Sequence, residues 1–251
     1  MTTSTVLVTG AGGVLGSVTV PRLTAAGHEV RAMSRRARPG WFAADLRTGE
    51  GIDEAVRGAD LIVHLASAPG DARRTDVGGT RRLVAAARKA GVRHLVYVSI
   101  IGVDRVPLRY YRAKLATEDV VRTGGIPYTI VRASQFHPFA EGLLKTAGRL
   151  GPLILDPGFL AQPVDAAEVA DRIADLLTRP AADAIVEFAG PRVLTLADAS
   201  ATWLAARGEK RRVLRLRLPG RVARSIRAGG LTTTATPTGT RTWEDYLAAR
   251  Y

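Results

Sequence analysis

Thr5-Val6-Leu7-Val8-Thr9-Gly10-Ala11-Gly12-Gly13-Val14-Leu15-Gly16 is the stretch on which the reading of the fold turns. Its first five residues form a short apolar, β-branched run of the kind that makes a strand covered on both faces. Glycines follow at once, and Val14 to Ala26 then carries a helical pattern that Gly27 stops. Strand, glycine turn and helix in that order leave unpaired backbone N–H groups at a helix N-terminus, where the helix dipole is positive. Glycine lets the backbone turn sharply and approach a ligand with no Cβ in the way. The set can be taken as Gly10, Gly13 and Gly16 or as Gly10, Gly12 and Gly16; either puts glycine at the turn and at the helix contact. Gly10, Gly12, Gly13, Val14, Leu15 and Gly16 are therefore the candidate cradle for a diphosphate.

Outward from that stretch, strands and helices alternate. Glu29 to Met33 reads as a second strand, Trp41 to Ala43 as a short third and Leu61 to Leu65 as a fourth. Gly78 to Ala90 is a helix stopped by Gly91, His94 to Ser99 a fifth strand, Tyr110 to Arg122 a helix, and Tyr128 to Val131 a sixth strand. Such alternation predicts parallel βαβ units in an α/β, doubly wound parallel sheet. The second half is less regular. Asp165 to Leu177 reads as an amphipathic helix capped by Asp165, Ala184 to Phe188 as a strand and Leu196 to Ala206 as a helix. Arg211 to Leu218 alternates basic and apolar residues as a half-exposed strand does, and a Gly/Thr/Pro loop from Gly229 to Thr240 precedes a terminal helix. No linker divides the chain. The expectation is one domain over 1–251, with 1–134 mainly binding a dinucleotide and 135–251 forming a small C-terminal lobe on the substrate side.

Composition narrows the chemistry. The 251 residues include no cysteine, which excludes disulfides, thiolate metal sites and a cysteine nucleophile. No secretion signal or membrane-spanning apolar run is read from the sequence, so no membrane partner is expected and the cytoplasm is the default location. The formal net charge of +13 is almost wholly arginine, spread along the chain with dense runs at Arg35-Arg36-Ala37-Arg38 and Lys210-Arg211-Arg212. No nucleic-acid recognition motif accompanies it, and no nucleic-acid partner is expected.

Which dinucleotide the cradle prefers is read at the end of the second strand. A carboxylate there bonds the ribose 2′-hydroxyl of NAD, whereas arginine accommodates the 2′-phosphate of NADP. The residues are Arg31-Ala32-Met33-Ser34-Arg35-Arg36, and the nearest acid, Glu29, opens the strand instead of closing it. Ser34 as a hydrogen-bond donor and Arg35 as a charged fork favour NADP(H) over NAD(H).

Tyr110 and Lys114 stand four residues apart and share a helix face. Lysine is rare here (Lys89, Lys114, Lys145 and Lys210 only), so an ammonium at this place points to lowering a neighbouring phenol's pKa while binding a ribose hydroxyl. A phenol so tuned protonates a carbonyl oxygen as hydride arrives. Ser99, at the end of the fifth strand, is placed to bond the same oxygen. Tyr111 is a rival donor that points about 100° away around the helix. His64, His94 and His137 have no metal-ligand spacing, and His64 and His94 are expected to pack in their strands.

These residues together resemble the short-chain dehydrogenase/reductase superfamily, and within it the atypical, NmrA-like branch, with the Rossmann fold. The resemblance runs through Thr9 to Gly16, Asp45-Leu46, His64-Leu65-Ala66-Ser67, Asp76-Val77-Gly78-Gly79-Thr80, Val96 to Ser99, Tyr110 to Lys114, Thr129 to Phe136 and Gln162 to Ala170. It implies that Asp45 and Leu46 lie along the adenine, and that Leu65, Ala66 and Ser67 lie beside the ribose and diphosphate. It further implies that Lys114 holds the nicotinamide ribose, that Ala133, Ser134 and Phe136 flank the nicotinamide, and that the C-terminal half closes the substrate pocket; Gln135 to Leu160 and the C-terminal lobe are expected to line that pocket. The interval from Ser99 to Tyr110 is shorter than in typical members. Members include NADPH-dependent reductases of quinones and carbonyl compounds, epimerase-like enzymes that retain the cofactor, and regulators that bind it without turnover. The expectation is an NADPH-dependent reductase of a carbonyl or quinone group on a small molecule, with substrate and oligomeric state open.

Overall fold

The computed structural model describes residues 3–149 and 151–251. The Met1-Thr2 part of the N-terminal reading, and Leu150 within the expected pocket-lining span, lie outside the described residues. By backbone contacts the chain divides into two units that interleave along the sequence. The first comprises the chain up to Ser99, Arg109–Arg132 and Val169–Val186; the second comprises Ile100–Leu108, Ala133–Glu168 and Glu187–Tyr251.

The sheet contains β1 (Thr5–Thr9), β2 (Glu29–Ser34), β3 (Phe42–Ala43), β4 (Leu61–His64), β5 (His94–Ile100), β6 (Tyr128–Ala133) and β9 (Ala184–Phe188). Their spatial order is β3-β2-β1-β4-β5-β6-β9. β1 pairs in parallel with β2 and with β4, β2 with β3, and β4 with β5. The chain moves outward from β1 to β2 and β3, then returns to place β4 on the other side of β1. The order therefore reverses at β1 and β4, and in such sheets ligands sit outside the carboxyl ends of those two strands. Helices α1 (Gly16–Ala25), α2 (Ile52–Val56), α3 (Gly79–Lys89), α4 (Arg109–Arg122) and α6 (Ala166–Leu177) supply the crossovers. Asp165 Oδ1 accepts from the Ala167 amide at 2.7 Å, so Asp165 caps α6.

The core of the first unit is the apolar face shared by β1, β4, β5 and β6 with α3. Leu7, Ile62, Leu83, Leu95, Tyr97 and Ile130 are all essentially inaccessible within one cluster. Burying side chains of this size stabilises by about 1.5–3 kcal/mol each. A charged pair locks α4 against β6: Arg132 Nε and Nη2 donate to the two oxygens of Glu118 at 3.0 and 2.8 Å, with Glu118 only 1% exposed. This fork fixes the helix that carries Tyr110 and Lys114.

The second unit adds α5 (His137–Ala147), β7 (Leu153–Leu155), β8 (Leu160–Ala161), β10 (Leu194–Thr195), α7 (Leu196–Ala206), β11 (Val213–Arg215), α8 (Arg221–Arg227) and α9 (Trp243–Ala248). Its core gathers Trp203, Leu153, Leu247, Trp243 and Leu144. The basic alternating stretch forms a strand only over β11, which pairs in parallel with β7. No helix among the described residues is long and apolar enough to cross a membrane.

Candidate functional site

The turn after β1 packs backbone against backbone. Gly10 has φ +67°, and a Cβ there would stand 2.7 Å from the Ala66 nitrogen and 2.8 Å from its Cα, both fixed backbone. A Cβ on Gly16 would overlap the Gly10 carbonyl and Ala11 Cα. Helix α1 has no side-chain cap at Leu15; its Ser17 amide donates to the Gly13 carbonyl at 2.9 Å and its Val18 and Thr19 amides to the Leu15 carbonyl at 3.2 and 2.9 Å, so the glycine loop ahead of the helix is the part left to face a ligand. Thr9 Oγ1 accepts from the Leu65 and Ala66 amides at 3.2 Å each, which leaves its hydrogen for His64 Nδ1 at 2.7 Å. His64 Nε2 then donates to Thr80 Oγ1 at 2.8 Å. Burial, with the Lys114 charge assisting, pushes the His64 pKa down to about 3, so this ring is a neutral fastener between the turns after β1 and β4. A Cβ-free turn facing an uncapped helix suits a pyrophosphate.

The residues expected along the adenosine half of a dinucleotide fall within the same unit. Val14 is exposed and Leu15 buried. The Ser34 hydroxyl donates to the Arg36 carbonyl at 2.6 Å, so its hydrogen is engaged by its own turn while its oxygen can still accept. Arg35 is exposed. The residue that sequence reasoning missed is Arg38. Its guanidinium lies 3.4 Å from where a Cβ on Gly12 would stand, and it stacks on Trp41 at 4.7 Å. The sequence signal was the arginine run itself, but which member turns back to the glycine loop depends on Pro39-Gly40-Trp41. Asp45 Oδ1 accepts from the Arg47 amide at 2.7 Å, and Leu46 is buried against α3, where a Cβ on Gly79 would collide with it.

The phenol of Tyr110 reaches the turn after β4. Its oxygen is 2.6 Å from Ser67 Oγ, and Ser67 in turn donates to Asp76 Oδ2 at 2.7 Å. Asp76 is 1% exposed, and its other oxygen accepts from the Ala68 amide at 2.8 Å. Because the single Ser67 hydrogen lies on Asp76, the phenol donates to Ser67. Ser67 adjoins Ala66, which touches Gly10, so the phenol stands one residue from the glycine turn. Burial raises the Tyr110 pKa; the Ser67 hydrogen bond opposes this and the Asp76 charge adds to it.

Lys114 lies on the buried stripe of α4 with Tyr111, Glu118 and Val121. Its ammonium donates to the Val98 carbonyl at 2.9 Å and sits 4.3 Å from the Tyr97 ring centre. Burial lowers its pKa to about 8 against the favourable charges of Asp76 and Glu118. Ser99 is buried and its hydroxyl has no hydrogen-bond partner among the described residues, so the serine that meets Tyr110 is Ser67. Tyr111 is buried, with its pKa pushed up to about 12 mainly by desolvation.

Ala133, Ser134 and Phe136 belong to the second unit. Ala133 and Ser134 are buried; the Ala133 carbonyl accepts from the Ile101 amide at 3.0 Å, and the Ser134 hydroxyl donates to the Gln162 carbonyl at 2.5 Å. Phe136 precedes α5 and bridges to Val164. His94 bonds Thr129 Oγ1 at 2.9 Å, whereas His137 is stacked on Tyr246 with neither ring nitrogen bonded among the described residues.

Comparison with known proteins places this geometry. A family profile described as NAD(P)H-binding matches residues 10–180. The chain is 31% identical over 221 residues to a chloroplastic divinyl chlorophyllide a 8-vinyl-reductase of Oryza sativa subsp. indica, covering 75% of this chain and 55% of that protein. It is 32% identical over 180 residues to a (4-alkanoyl-5-oxo-2,5-dihydrofuran-3-yl)methyl phosphate reductase of Streptomyces griseus subsp. griseus, covering 66% and 61%. It thus spans less than two thirds of the length of either relative. An NADPH-dependent quinone oxidoreductase of Escherichia coli, solved with NADPH, superposes with a TM-score of 0.80 at 20% identity, over 97% of this chain and 99% of that one. The matched profile begins at Gly10, covers the cradle, Ser67, Asp76, Tyr110 and Lys114, and spans well over half of the sequence: the chain belongs to the NAD(P)H-binding family of Rossmann-fold proteins.

Proposed function

We propose that this protein is an NADPH-dependent oxidoreductase of the short-chain dehydrogenase/reductase type, in its NmrA-like branch, reducing a carbonyl or quinone group of a small organic molecule. The observation that carries the reading is the Tyr110 phenol, hydrogen-bonded at 2.6 Å to Ser67 in the turn that packs on Gly10. A proton donor therefore stands beside the place where the backbone is shaped for a dinucleotide. Arg35 and Arg38, with no acid at the end of β2, support NADP over NAD.

When bound, NADPH supplies hydride. The chain's part is the proton and the geometry. Gly10 to Gly16 would hold the diphosphate, and Lys114 would hold a ribose hydroxyl. Tyr110 transfers its proton to the substrate oxygen as negative charge builds there. Ser67 then turns its hydrogen from Asp76 to the phenolate, and the Ala68 amide continues to hold Asp76. The phenol is protonated at neutral pH, as an acid in the reductive direction must be; burial raises its pKa, against the expectation that Lys114 lowers it.

The test is NADPH oxidation with panels of quinones, aldehydes and ketones, repeated with Tyr110→Phe. A positioned acid contributes about 10²–10⁴-fold, and carbonyl reduction is expected to fall by that amount. Unchanged quinone reduction in the variant assigns that substrate to direct hydride transfer without a protein acid. Binding of NADPH with no oxidation by any acceptor would replace the reading with a sensor of the dinucleotide.

A further inference from the structure

The first unit holds a second concave site that the dinucleotide does not explain. Arg47, Thr48, Asp71, Arg73, Arg74 and Arg82 line a cleft of ≈ 900 Å³ between the loop after β3 and the start of α3. Four guanidinium groups face one carboxylate, an excess of three positive charges. Asp71 lies 3.4 Å from Arg47, and Arg82 donates to the Leu46 carbonyl at 3.2 Å. The side chains of Arg73 and Arg74 form no hydrogen bond or ion pair among the described residues. They open a π-helical turn, Arg73–Gly78, whose inner residues Thr75, Asp76 and Val77 are buried. The turn thus spends Asp76 on Ser67 and Ala68 and turns two unmatched arginines outward. Single π-turns of this kind frequently mark functional positions.

Like charges gathered in a cleft repel one another, and low-dielectric walls focus their field on whatever enters. Guanidinium forks match phosphate oxygens in pairs. The volume lies within the range of small-molecule sites. None of the lining side chains is aromatic, so the cleft lacks the stacking platform on which proteins hold a nucleic-acid strand.

We propose that this cleft is an anion site for an oligophosphate, a chain of two or three phosphoryl groups carried free or on a nucleotide. Its lining includes none of Gly10 to Gly16, Ser34, Arg35 and Arg38; it adjoins Leu46, whose carbonyl Arg82 bonds, so it lies beside the expected adenine edge and outside the phosphate cradle. Arg73 and Arg74 grip the terminal phosphoryl oxygens, and Arg47 and Arg82 neutralise the rest of the chain.

Isothermal titration of tripolyphosphate, ATP and citrate into protein already saturated with NADP tests this. Tripolyphosphate is expected to bind in the presence of NADP, and Arg73→Ala/Arg74→Ala to weaken it at least about tenfold, as losing charge-assisted hydrogen bonds should. Both arginines are exposed, so the variant should keep its melting temperature; Arg74→Gln alone serves if the double variant does not fold. ATP binding as tightly as tripolyphosphate identifies the phosphate chain as the whole ligand, and tighter binding identifies a nucleotide. Any of four results overturns the proposal: no binding, citrate binding as tightly, affinity unchanged in the variants, or displacement by NADP. An RNA oligonucleotide that binds through Arg73 and Arg74 in preference to tripolyphosphate overturns it in favour of a nucleic-acid surface.

Discussion

Replacing Asp76 with asparagine should reverse the direction of hydrogen bonding along Asp76, Ser67 and Tyr110. The Ala68 amide needs an acceptor at 2.8 Å, so the new side chain keeps its carbonyl oxygen there and turns its NH₂ toward Ser67. Ser67 now accepts, and its own hydrogen is released toward the phenol oxygen. Two effects then act on Tyr110 together: the carboxylate charge is gone and the phenol oxygen gains a donor, and both favour the phenolate. The contacts of 2.7 and 2.6 Å place that charge about 5 Å from the phenol oxygen, where a unit charge at an effective dielectric of 20 is worth about 3 kcal/mol, or about two pH units. Ser67 is exposed, and solvent screening reduces this to about one unit. The assay is the alkaline limb of kcat/KM for a carbonyl substrate, paired with a direct titration of ¹³Cζ-labelled tyrosine assigned by Tyr110→Phe. Both are expected to move to lower pH by about one to two units. An unmoved or rising value in the tyrosine titration would refute the reasoning, because it reads the phenol whether or not the enzyme turns over.

Three further outcomes follow from the same structure. Gly10→Ala should cost about 1–3 kcal/mol of stability through strain and weaken NADPH binding, read by urea unfolding and by fluorescence titration; wild-type affinity in the variant would remove Gly10 from the cradle. Arg35→Ala should weaken NADPH binding about tenfold while sparing NADH, whereas Arg38→Ala, sited at Gly12, should weaken both; the reverse pattern would exchange their roles. His64 and His137, with pKa values pushed down to about 3 and about 4 chiefly by burial, stay neutral in the fold while the unfolded chain protonates them below about pH 6.5. Stability is thus full above pH 6.5 and falls toward acid by up to about 1.4 kcal/mol per pH unit for each ring. His94, also lowered by burial, adds to the slope; His137→Phe should reduce it between pH 6.5 and 5 in urea titrations at fixed pH while leaving the His64 and His94 share, and an unchanged slope would mean that His137 is already charged.

The fold could be read from the sequence where burial follows hydrophobicity. β1, β4 and α6 bury their apolar residues, with Thr9 and His64 the polar exceptions at the strand ends, so period and composition give their places within a residue or two. Helix α5 shows the opposite case. Its buried stripe is His137, Glu141 and Leu144, while Phe139 and Leu143 are 57% and 53% exposed, so the pattern by which an amphipathic helix is recognised is inverted. The inversion has a cause in the fold. Glu141 accepts from Tyr246 and Tyr251 and pairs with Lys145 and Arg250, which holds its pKa down to about 2 despite the desolvation opposing it. A buried carboxylate with that many donors is a centre of organisation, yet three of the four lie about a hundred residues away in sequence.

The site divides along the same line. The glycine loop is continuous in sequence, and Tyr110 with Lys114 is a single helical turn, so both can be read locally. Ser99 sits where the strand pattern ends, but β5 turns its hydroxyl into a buried position with no partner. The serine that reaches Tyr110 is Ser67, and it does so because Asp76 folds back on a π-helical turn that no residue period signals. Asp76 thereby gives that turn a definite chemical consequence. Its carboxylate anchors Ser67 and Ala68 beneath the phenol, and its charge adds to the burial that raises the phenol's pKa. Shortening the π-turn by one residue would rotate Asp76 off Ser67 while leaving the glycine cradle, Tyr110 and Lys114 unaltered in sequence. Such a deletion should retain dinucleotide binding and lose the pH dependence assigned to Tyr110, a separation that no single motif in the chain would have suggested.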